Sequence, residues 1–274
     1  MWRKIVDQKL LLVGCGKMGG ALLAGWLGRD VPSSNIIVVE PYGGDSLREQ
    51  FGVSVVESLQ DIVPDIVPDI VVFAVKPQAM DDIVPLYAKF VRPETMFLSI
   101  AAGKPSSYFE NLLADGAAIV RSMPNTPAAV GRGITVAFGN EFVSDAQKAV
   151  ATSLLEAVGE VGWVDDEGLI DGVTAVSGSG PAYIFLMIEC LAKAGVEVGL
   201  DPELAEQLAR ATVAGSGELA RQSANSASTL RENVTSPGGT TAAALEVLMA
   251  DDGLQELMNR AVAAAEERSR ELAN

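Results

Sequence analysis

The first half of the chain alternates short apolar runs with longer segments in which apolar residues recur at helical spacing. The runs are rich in β-branched residues and almost uninterrupted, the pattern of strands buried on both faces of a parallel sheet. This alternation predicts βαβ units and an α/β fold with a parallel sheet. The predicted strands are 9–14, 35–40, 69–75, 95–101 and 117–123, and the predicted helices are 18–29, 45–51 and 79–90.

The pattern changes at about Asp165, where strand-like runs stop and Ala, Leu and Glu dominate. Apolar residues then recur at helical spacing in two stripes, which predict either a helical core or a subunit interface. We therefore expect an α/β domain over 1–165 and an all-helical domain over 166–274. The stripes are Ile184, Phe185, Ile188, Leu191 and Ala192, and Leu254, Leu257, Met258, Ala261 and Ala265.

The composition and net charge of the chain argue against two kinds of binding partner. The chain has 274 residues, of which 49% are hydrophobic, and its formal net charge is −16. Such a charge repels nucleic acids and anionic membranes over most of a protein surface. We expect a globular protein with a small-molecule substrate, and neither nucleic acid nor membrane as a partner.

The chain has no histidine and only two cysteines, Cys15 and Cys190. Their separation fits neither metal-ligand spacing nor a disulfide framework, so we expect no metal and a reducing compartment. Asp7, Gln8 and Lys9 interrupt the N-terminal apolar run, which argues for a buried strand rather than a secretory signal. No apolar segment approaches the length of a membrane span, and the expected localisation is cytoplasmic.

A glycine-rich turn follows the first predicted strand. In "LLLVGCGKMGGALLAGWL", Gly14, Gly16 and Gly19 lie between that strand and the helix after it. In this context the three glycines allow a tight turn, approach of the backbone to a pyrophosphate, and close helix–strand packing. The sequence therefore predicts dinucleotide binding of the Rossmann type.

Glu40 ends the second predicted strand, 21 positions beyond Gly19. A carboxylate there can accept hydrogen bonds from the adenosine ribose and repel a 2′-phosphate, so the pattern slightly favours NADH over NADPH. A solvated carboxylate at a strand end is the alternative.

Three further segments follow predicted strands at the carboxyl edge, where open α/β sheets bind ligands. They are "AVKPQ" (74–78), "SIAAG" (99–103) and "MPNTP" (123–127). Lys76 offers a cation, Ala102 offers backbone without bulk, and two prolines hold Asn125 in a rigid loop suited to a nicotinamide ribose. Ordinary turn chemistry explains each segment alone, but explains the set less well.

The chain resembles the pyrroline-5-carboxylate reductase family through several motifs in the family's order. They are "VGCGKMGGAL", "AVKPQ", "SIAAG", "MPNTP", "LIDGVTAVSGSGPAYIF", "AGVEVGL" and "ENVTSPGGTT". The resemblance implies NAD(P)H-dependent reduction of L-1-pyrroline-5-carboxylate to L-proline, the last step of proline biosynthesis. It also implies a homodimer, or a larger homo-oligomer built from dimers, whose helical domains interlock.

The same resemblance assigns roles to residues that spacing alone does not. It places Cys15, Lys17 and Met18 with Gly14 and Gly16 in the pyrophosphate loop, and Asn233 near the nicotinamide. Glu167, Thr240 and Thr241 match positions around the substrate. Glu167 could instead cap the helix predicted through 169–176.

The stretch "VTSPGGTT" (234–241) then has a chemical interpretation. Gly239 lets backbone N–H groups approach a ligand, and Thr240 and Thr241 begin a helix whose N-terminus favours an anion. We expect a cradle for the substrate carboxylate, with the Thr241 hydroxyl near the ring nitrogen as hydrogen-bond partner or proton donor. A helix N-cap made by a threonine hydroxyl is the alternative.

Three other functions compete with this one. The β-hydroxyacid dehydrogenases also follow a glycine loop with helices, but they use a helix-borne lysine, and Lys193 is the one lysine of the helical half. A reductase of a related cyclic imine would need much the same site. A nucleotide-binding regulator would keep the glycine loop without turnover.

Overall fold

The computed structural model describes residues 6–63 and 66–273. The chain forms two compact units, one of Met1–Gly178 with Glu266–Asn274 and one of Ser179–Ala265. The sequence pattern predicts a domain boundary after residue 165, whereas the contacts within each unit place the boundary after residue 178. Ile170 and Ala175, which lie between these two points, are buried and count with the first unit.

An eight-stranded sheet forms the centre of the first unit, in the order β3-β2-β1-β4-β5-β6-β7-β8. Every neighbouring pair is parallel except β6 and β7, which are antiparallel. The strands are β1 (Leu10–Val13), β2 (Ile36–Val39), β3 (Ser54–Val56), β4 (Ile70–Phe73), β5 (Met96–Ser99), β6 (Ala118–Met123), β7 (Gly133–Gly139) and β8 (Gly159–Trp163).

The five strands predicted from apolar runs are confirmed, and β3, β7 and β8 were not predicted. Continuous apolar runs are typical of strands that are buried on both faces. β7 alternates buried residues with half-buried or exposed ones, and β8 is only half-buried, so neither has that signature. β3 is only three residues long.

The sheet separates two hydrophobic clusters, because successive side chains of a strand point to opposite faces. In β1, Leu10 and Leu12 pack in one cluster with Trp26, while Leu11 and Val13 pack in the other. All four side chains of β1 are buried. This burial on both faces holds the carboxyl end of β1, where the glycine loop begins, at a fixed position.

The first unit also contains short helices, and the predicted helix over 79–90 is wrong. That segment is a short α-helix between 3₁₀ turns at Pro77–Ala79 and Val84–Phe90, because Pro85 lacks the N–H that a continuous helix over 79–90 needs. A π-helical turn at Thr174–Gly178 closes the unit. Its α-helices are α1 (Lys17–Leu27), α2 (Gly44–Phe51), α3 (Met80–Ile83), α4 (Ser106–Leu112), α5 (Asp145–Glu156) and α6 (Leu169–Val173).

The second unit is helical and buries little of its own apolar surface. Between residues 179 and 265, all of which the structure describes, only Ala205 and Ala209 are buried. Ile184 and Phe185 of the first stripe are 50% and 59% exposed. Of the two alternatives for the stripes, a subunit interface fits this exposure better. The helices are α7 (Gly180–Glu197), α8 (Pro202–Gln222), α9 (Ala227–Asn233), α10 (Thr240–Leu248) and α11 (Leu254–Ala273), whose last turns belong to the first unit.

One stretch of the described chain, Leu169–Glu197, is long and apolar enough to cross a membrane by length and composition. The expectation that no apolar segment approaches a membrane span is therefore wrong. A single stretch of this kind is weak support for a membrane span, because helices of soluble proteins meet the same criterion.

Candidate active site

The glycine loop turns at the carboxyl end of β1 as the spacing predicts. Gly14 has a φ of +88°, a left-handed conformation that favours glycine, and donates its N–H to the Val39 carbonyl at 2.9 Å. A Cβ at Gly19 would lie 2.6 Å from the Gly14 carbonyl oxygen. Two of the three glycines are therefore required by the fold itself.

Gly16 differs from these two, because a Cβ built there would meet no protein atom within 4 Å. It is exposed and serves as the N-cap of α1, a cap that has no side-chain hydrogen bond. Lys17, also exposed, begins the helix, and Met18 is half-buried. The loop thus leaves an open backbone at a helix N-terminus, an arrangement that suits an anion.

Glu40 lies against this loop. One of its carboxylate oxygens accepts the Cys15 N–H at 2.8 Å, and the other accepts the Tyr42 N–H at 3.3 Å. These two bonds orient the carboxylate at the carboxyl ends of β1 and β2. The alternative of a freely solvated strand-end carboxylate does not fit this arrangement.

The Cys15 thiol is half-buried beside that carboxylate. Desolvation by burial and the nearby negative charge of Glu40 raise the pKa of Cys15 to about 11. The thiol is therefore neutral at physiological pH and unsuited to act as a nucleophile.

Three predicted site residues follow neighbouring strands of the sheet. Lys76 follows β4, Ala102 follows β5 and Asn125 follows β6, so all three lie at the carboxyl edge to which the glycine loop belongs. Lys76 and Ala102 are exposed, as a contact with a ligand requires. The structure thus brings Lys76, Ala102 and Asn125 to one edge of the sheet.

Asn125 differs from these exposed residues, because its side-chain amide already has partners. Its Oδ1 accepts the Ile134 N–H at 2.9 Å, and its Nδ2 donates to the Ser177 carbonyl at 3.1 Å. Each end of the amide therefore holds a different segment of the first unit.

Glu167 is also bound within the first unit. Its carboxylate accepts the Ser106 N–H at 2.7 Å and the Ser106 Oγ–H at 2.6 Å, and it pairs with Arg121 Nη1 at 3.0 Å. Ser106 is the first residue of α4. Glu167 therefore binds the first residue of α4, whereas the alternative of a cap on the helix predicted through 169–176 is not observed, since α6 has no side-chain cap.

The sequence did not indicate a role for Arg121 or Ser106. Arg121 lies within β6 and is buried, as is Ser106. A single arginine within the apolar run "AAIVRSM" was the available signal, because a buried guanidinium requires a charged partner.

The remaining predicted residues belong to the second unit. Asn233 is the last residue of α9 and is exposed. Gly238 has a φ of +68°, and Gly239 is the N-cap of α10, which begins with Thr240 and Thr241 as predicted. The N-cap Gly239 provides no side-chain hydrogen bond, so the alternative of a threonine hydroxyl cap is not observed at the start of α10. The N-terminus of α10 is thus without a side-chain acceptor.

Lys193 bears on the competing dehydrogenase class. Its side chain is 77% exposed and its Nζ lies 3.8 Å from Glu189 one helical turn away on α7. This is an ordinary pair on a helix surface. It does not resemble the enclosed lysine that a helix-borne catalytic group would require.

Two family models match the chain. The one described as pyrroline-5-carboxylate reductase dimerisation matches residues 167–272. The one described as NADP oxidoreductase, coenzyme F420-dependent, matches residues 9–103. The first covers all of the second unit, and the second covers the glycine loop, Glu40, Lys76 and Ala102.

Similar proteins match over almost the whole chain. The pyrroline-5-carboxylate reductase of Pseudomonas aeruginosa is 41% identical, over 97% of each chain. The solved structure of the Coxiella burnetii enzyme is similar with a TM-score of 0.91 and 36% identity, covering 97% of this chain and 99% of that one. The Plasmodium falciparum enzyme, solved with NADP bound, gives a TM-score of 0.81 and 30% identity, covering 98% and 100%.

Proposed function

We infer that this chain, which belongs to the pyrroline-5-carboxylate reductase family, is an NAD(P)H-dependent oxidoreductase that reduces L-1-pyrroline-5-carboxylate to L-proline. The observation that carries this inference is similarity over the full length, which includes the glycine loop of the first unit and the glycine–threonine helix start of the second. The residues present fit both ligands that the reaction needs.

The first unit fits a dinucleotide. The open backbone at Gly16 and the N-terminus of α1 suit a pyrophosphate, and Cys15, Lys17 and Met18 complete the loop around it. Lys76 and Ala102 line the same edge of the sheet, and Asn233 is proposed for the nicotinamide end. When bound, the reduced nicotinamide supplies the hydride.

Glu40 supports a preference for NADH, which we propose as the finer property of this site. Its carboxylate is oriented by the N–H groups of Cys15 and Tyr42, so it is poised to accept the ribose hydroxyls. A 2′-phosphate would meet that negative charge and lose binding free energy.

The second unit fits the carboxylate of the imine. Gly238 and Gly239 expose backbone at the start of α10, and the N–H groups and dipole of that helix favour an anion. Thr240 and Thr241 add hydroxyl groups. The Thr241 hydroxyl is proposed as the catalytic group, which hydrogen-bonds the ring nitrogen or gives it a proton.

This arrangement accounts for a site without histidine. The ring nitrogen of a cyclic imine can carry its own proton, which makes the imine carbon electron-poor. The protein then needs mainly to orient the substrate and stabilise its charge. Glu167 already accepts three hydrogen bonds from the protein, so we propose that its contact with substrate is made through water.

A homodimer, or a larger homo-oligomer built from dimers, accounts for the exposed apolar helices of the second unit. The family model that covers this unit is a dimerisation model. A second copy would bury side chains such as Ile184 and Phe185, which are half-exposed in one chain.

The net charge of −16 disfavours nucleic acid and anionic membranes as partners. We also propose a cytoplasmic location.

The decisive experiment is the loss of NADH absorbance when pyrroline-5-carboxylate is added, repeated with NADPH and with a simple 2-oxo acid. Oxidation with the imine but not with the oxo acid is the expected result. Oxidation only with another cyclic imine would reassign the substrate. Consumption of neither cofactor would favour a regulator, which should be stabilised against heat by cofactor but not by proline.

A further inference from the structure

The π-helical turn Thr174–Gly178 leaves a backbone carbonyl that the helix after it cannot satisfy in the usual way. In an α-helix the Ser177 carbonyl would accept the N–H of residue 181, but residue 181 is a proline and has none. Ser177 is half-buried, and a carbonyl that is partly removed from water gains stability from a donor supplied by another segment.

Asn125 supplies that partner. Its Nδ2 donates to the Ser177 carbonyl at 3.1 Å, while its Oδ1 accepts the Ile134 N–H at 2.9 Å. An amide is the side chain that suits both positions, because one end must donate and the other must accept. These two hydrogen bonds of Asn125 join the loop after β6, the start of β7 and the π-helical turn.

A second contact joins the same loop and turn. A Cβ at Gly178 would lie 2.5 Å from the Met123 Cε, so the end of β6 packs closely against the end of the turn. Gly178 is also the last residue of the first unit before the chain enters the second. The backbone is therefore held from two sides at the point where the chain leaves the sheet.

We propose that Asn125 is a positioning residue for the reduction: it fixes the π-helical turn through the Ser177 carbonyl and thereby sets the backbone that leads into α7. The expected effect on turnover rests on the proposed function. In this proposal the Asn125 side chain acts on the backbone and does not contact the cofactor directly. Its action on the turn itself does not depend on the reaction.

The test uses Asn125→Asp, which keeps the acceptor for the Ile134 N–H but places an oxygen against the Ser177 carbonyl. The expected result is a fall of about tenfold or more in kcat/KM for the imine, with the Kd for NADH and NADPH nearly unchanged. A weaker affinity for cofactor with unchanged KM for the imine would overturn the proposal.

Asn140 provides a matched control. It bonds the Ile119 N–H at 3.0 Å and the Ala117 carbonyl at 2.9 Å, and so holds the other ends of the same two strands, β6 and β7. Asn140→Ala should lower stability and leave the kcat/KM of the folded enzyme within about twofold. If Asn125→Ala did only the same, a purely structural role would replace the positioning role.

Pro181→Ala provides a reciprocal test, because it restores an N–H at position 181. In the Asn125→Ala background it should recover part of the lost kcat/KM, whereas a residue that touches the cofactor would gain nothing. Hydrogen exchange of residues 174–182 should speed up at least tenfold in Asn125→Asp, a readout that needs no turnover. An inactive wild-type enzyme would refute the proposed function. Unchanged hydrogen exchange of residues 174–182 in Asn125→Asp would refute the role of Asn125 in holding the turn.

Discussion

Arg121 Nη1 lies 3.0 Å from the Glu167 carboxylate, and the arginine side chain is only 5% exposed. The pair joins the centre of β6 to the start of α4, because the same carboxylate also accepts the N–H and the hydroxyl of Ser106. The loop that contains Ala102 lies immediately before α4 along the chain. This ion pair therefore holds one edge of the proposed cofactor site.

We predict that Glu167→Gln lowers the free energy of unfolding by roughly 3 kcal/mol, because it leaves the buried guanidinium of Arg121 without a counter-charge. Urea unfolding followed by tryptophan fluorescence would measure the loss. The control is Glu206→Gln, whose partner Arg210 lies 3.0 Å away on the surface of α8. That exposed pair should be worth about 0.5 kcal/mol or less, and equal losses in the two variants would contradict the structural role of Glu167.

Gly16→Ala should keep the fold and weaken cofactor binding, because its Cβ would meet no protein atom but would enter the space proposed for the pyrophosphate. We expect the Kd for NADH to rise by roughly tenfold or more, about 1.4 kcal/mol, in a fluorescence titration. Gly20→Ala is the matched control on α1, since its Cβ would meet nothing nearer than the Cys15 carbonyl at 4.0 Å. Weaker cofactor binding in Gly20→Ala, or unchanged cofactor binding in Gly16→Ala, would argue against the loop as the pyrophosphate site.

The sequence was most informative where burial is complete. Strands buried on both faces carry continuous apolar runs, so β1, β2, β4, β5 and β6 could be predicted, whereas the half-buried β7 and β8 could not. The glycine loop could be placed because its spacing has a steric cause that the structure reproduces at Gly14 and Gly19.

Contacts between polar side chains that are far apart in the chain could not be predicted from the sequence. Glu167 pairs with Arg121 across 46 positions, and Asn125 meets Ser177 across 52. The arginine in "AAIVRSM" indicates that a charged partner is needed, but only the packed fold shows which residue supplies it. The sequence therefore did not indicate that Glu167 and Asn125 also hold backbone segments of the first unit.

The Cys15 thiol should resist alkylation at neutral pH. Its pKa is raised from 9.0 to about 11, so the folded state favours the neutral thiol and its contribution to stability is lost as the pH rises from 9 towards 11. In a Cys190→Ser variant at pH 8, native protein should react with iodoacetamide about a hundredfold more slowly than urea-unfolded protein, in proportion to the thiolate present. Rapid labelling of the native protein at pH 8 would contradict the proposed environment.

Glu40→Ser should shift cofactor preference towards NADPH, because it removes the oriented carboxylate from the place of a 2′-phosphate. The ratio of kcat/KM for NADPH to that for NADH is expected to rise by about tenfold or more. Glu49→Ser, which removes an exposed carboxylate from α2, is the control for the change in net charge. A ratio that stays the same in Glu40→Ser would refute the role of this residue in the preference.

Thr241→Ala should lower kcat/KM for the imine by about a hundredfold, since a hydroxyl that meets the ring nitrogen contributes mainly as charge moves in the transition state. The Kd for cofactor should change little, because Thr241 is proposed to touch the substrate alone. Thr212→Ala, which removes an exposed hydroxyl from α8, is the control and should retain activity. A Thr241→Ala enzyme as active as wild type would leave the backbone of α10 to hold the carboxylate and would assign the proton to the substrate itself. A partial loss that appears only in KM would instead indicate a hydroxyl that binds the imine without assisting the hydride transfer.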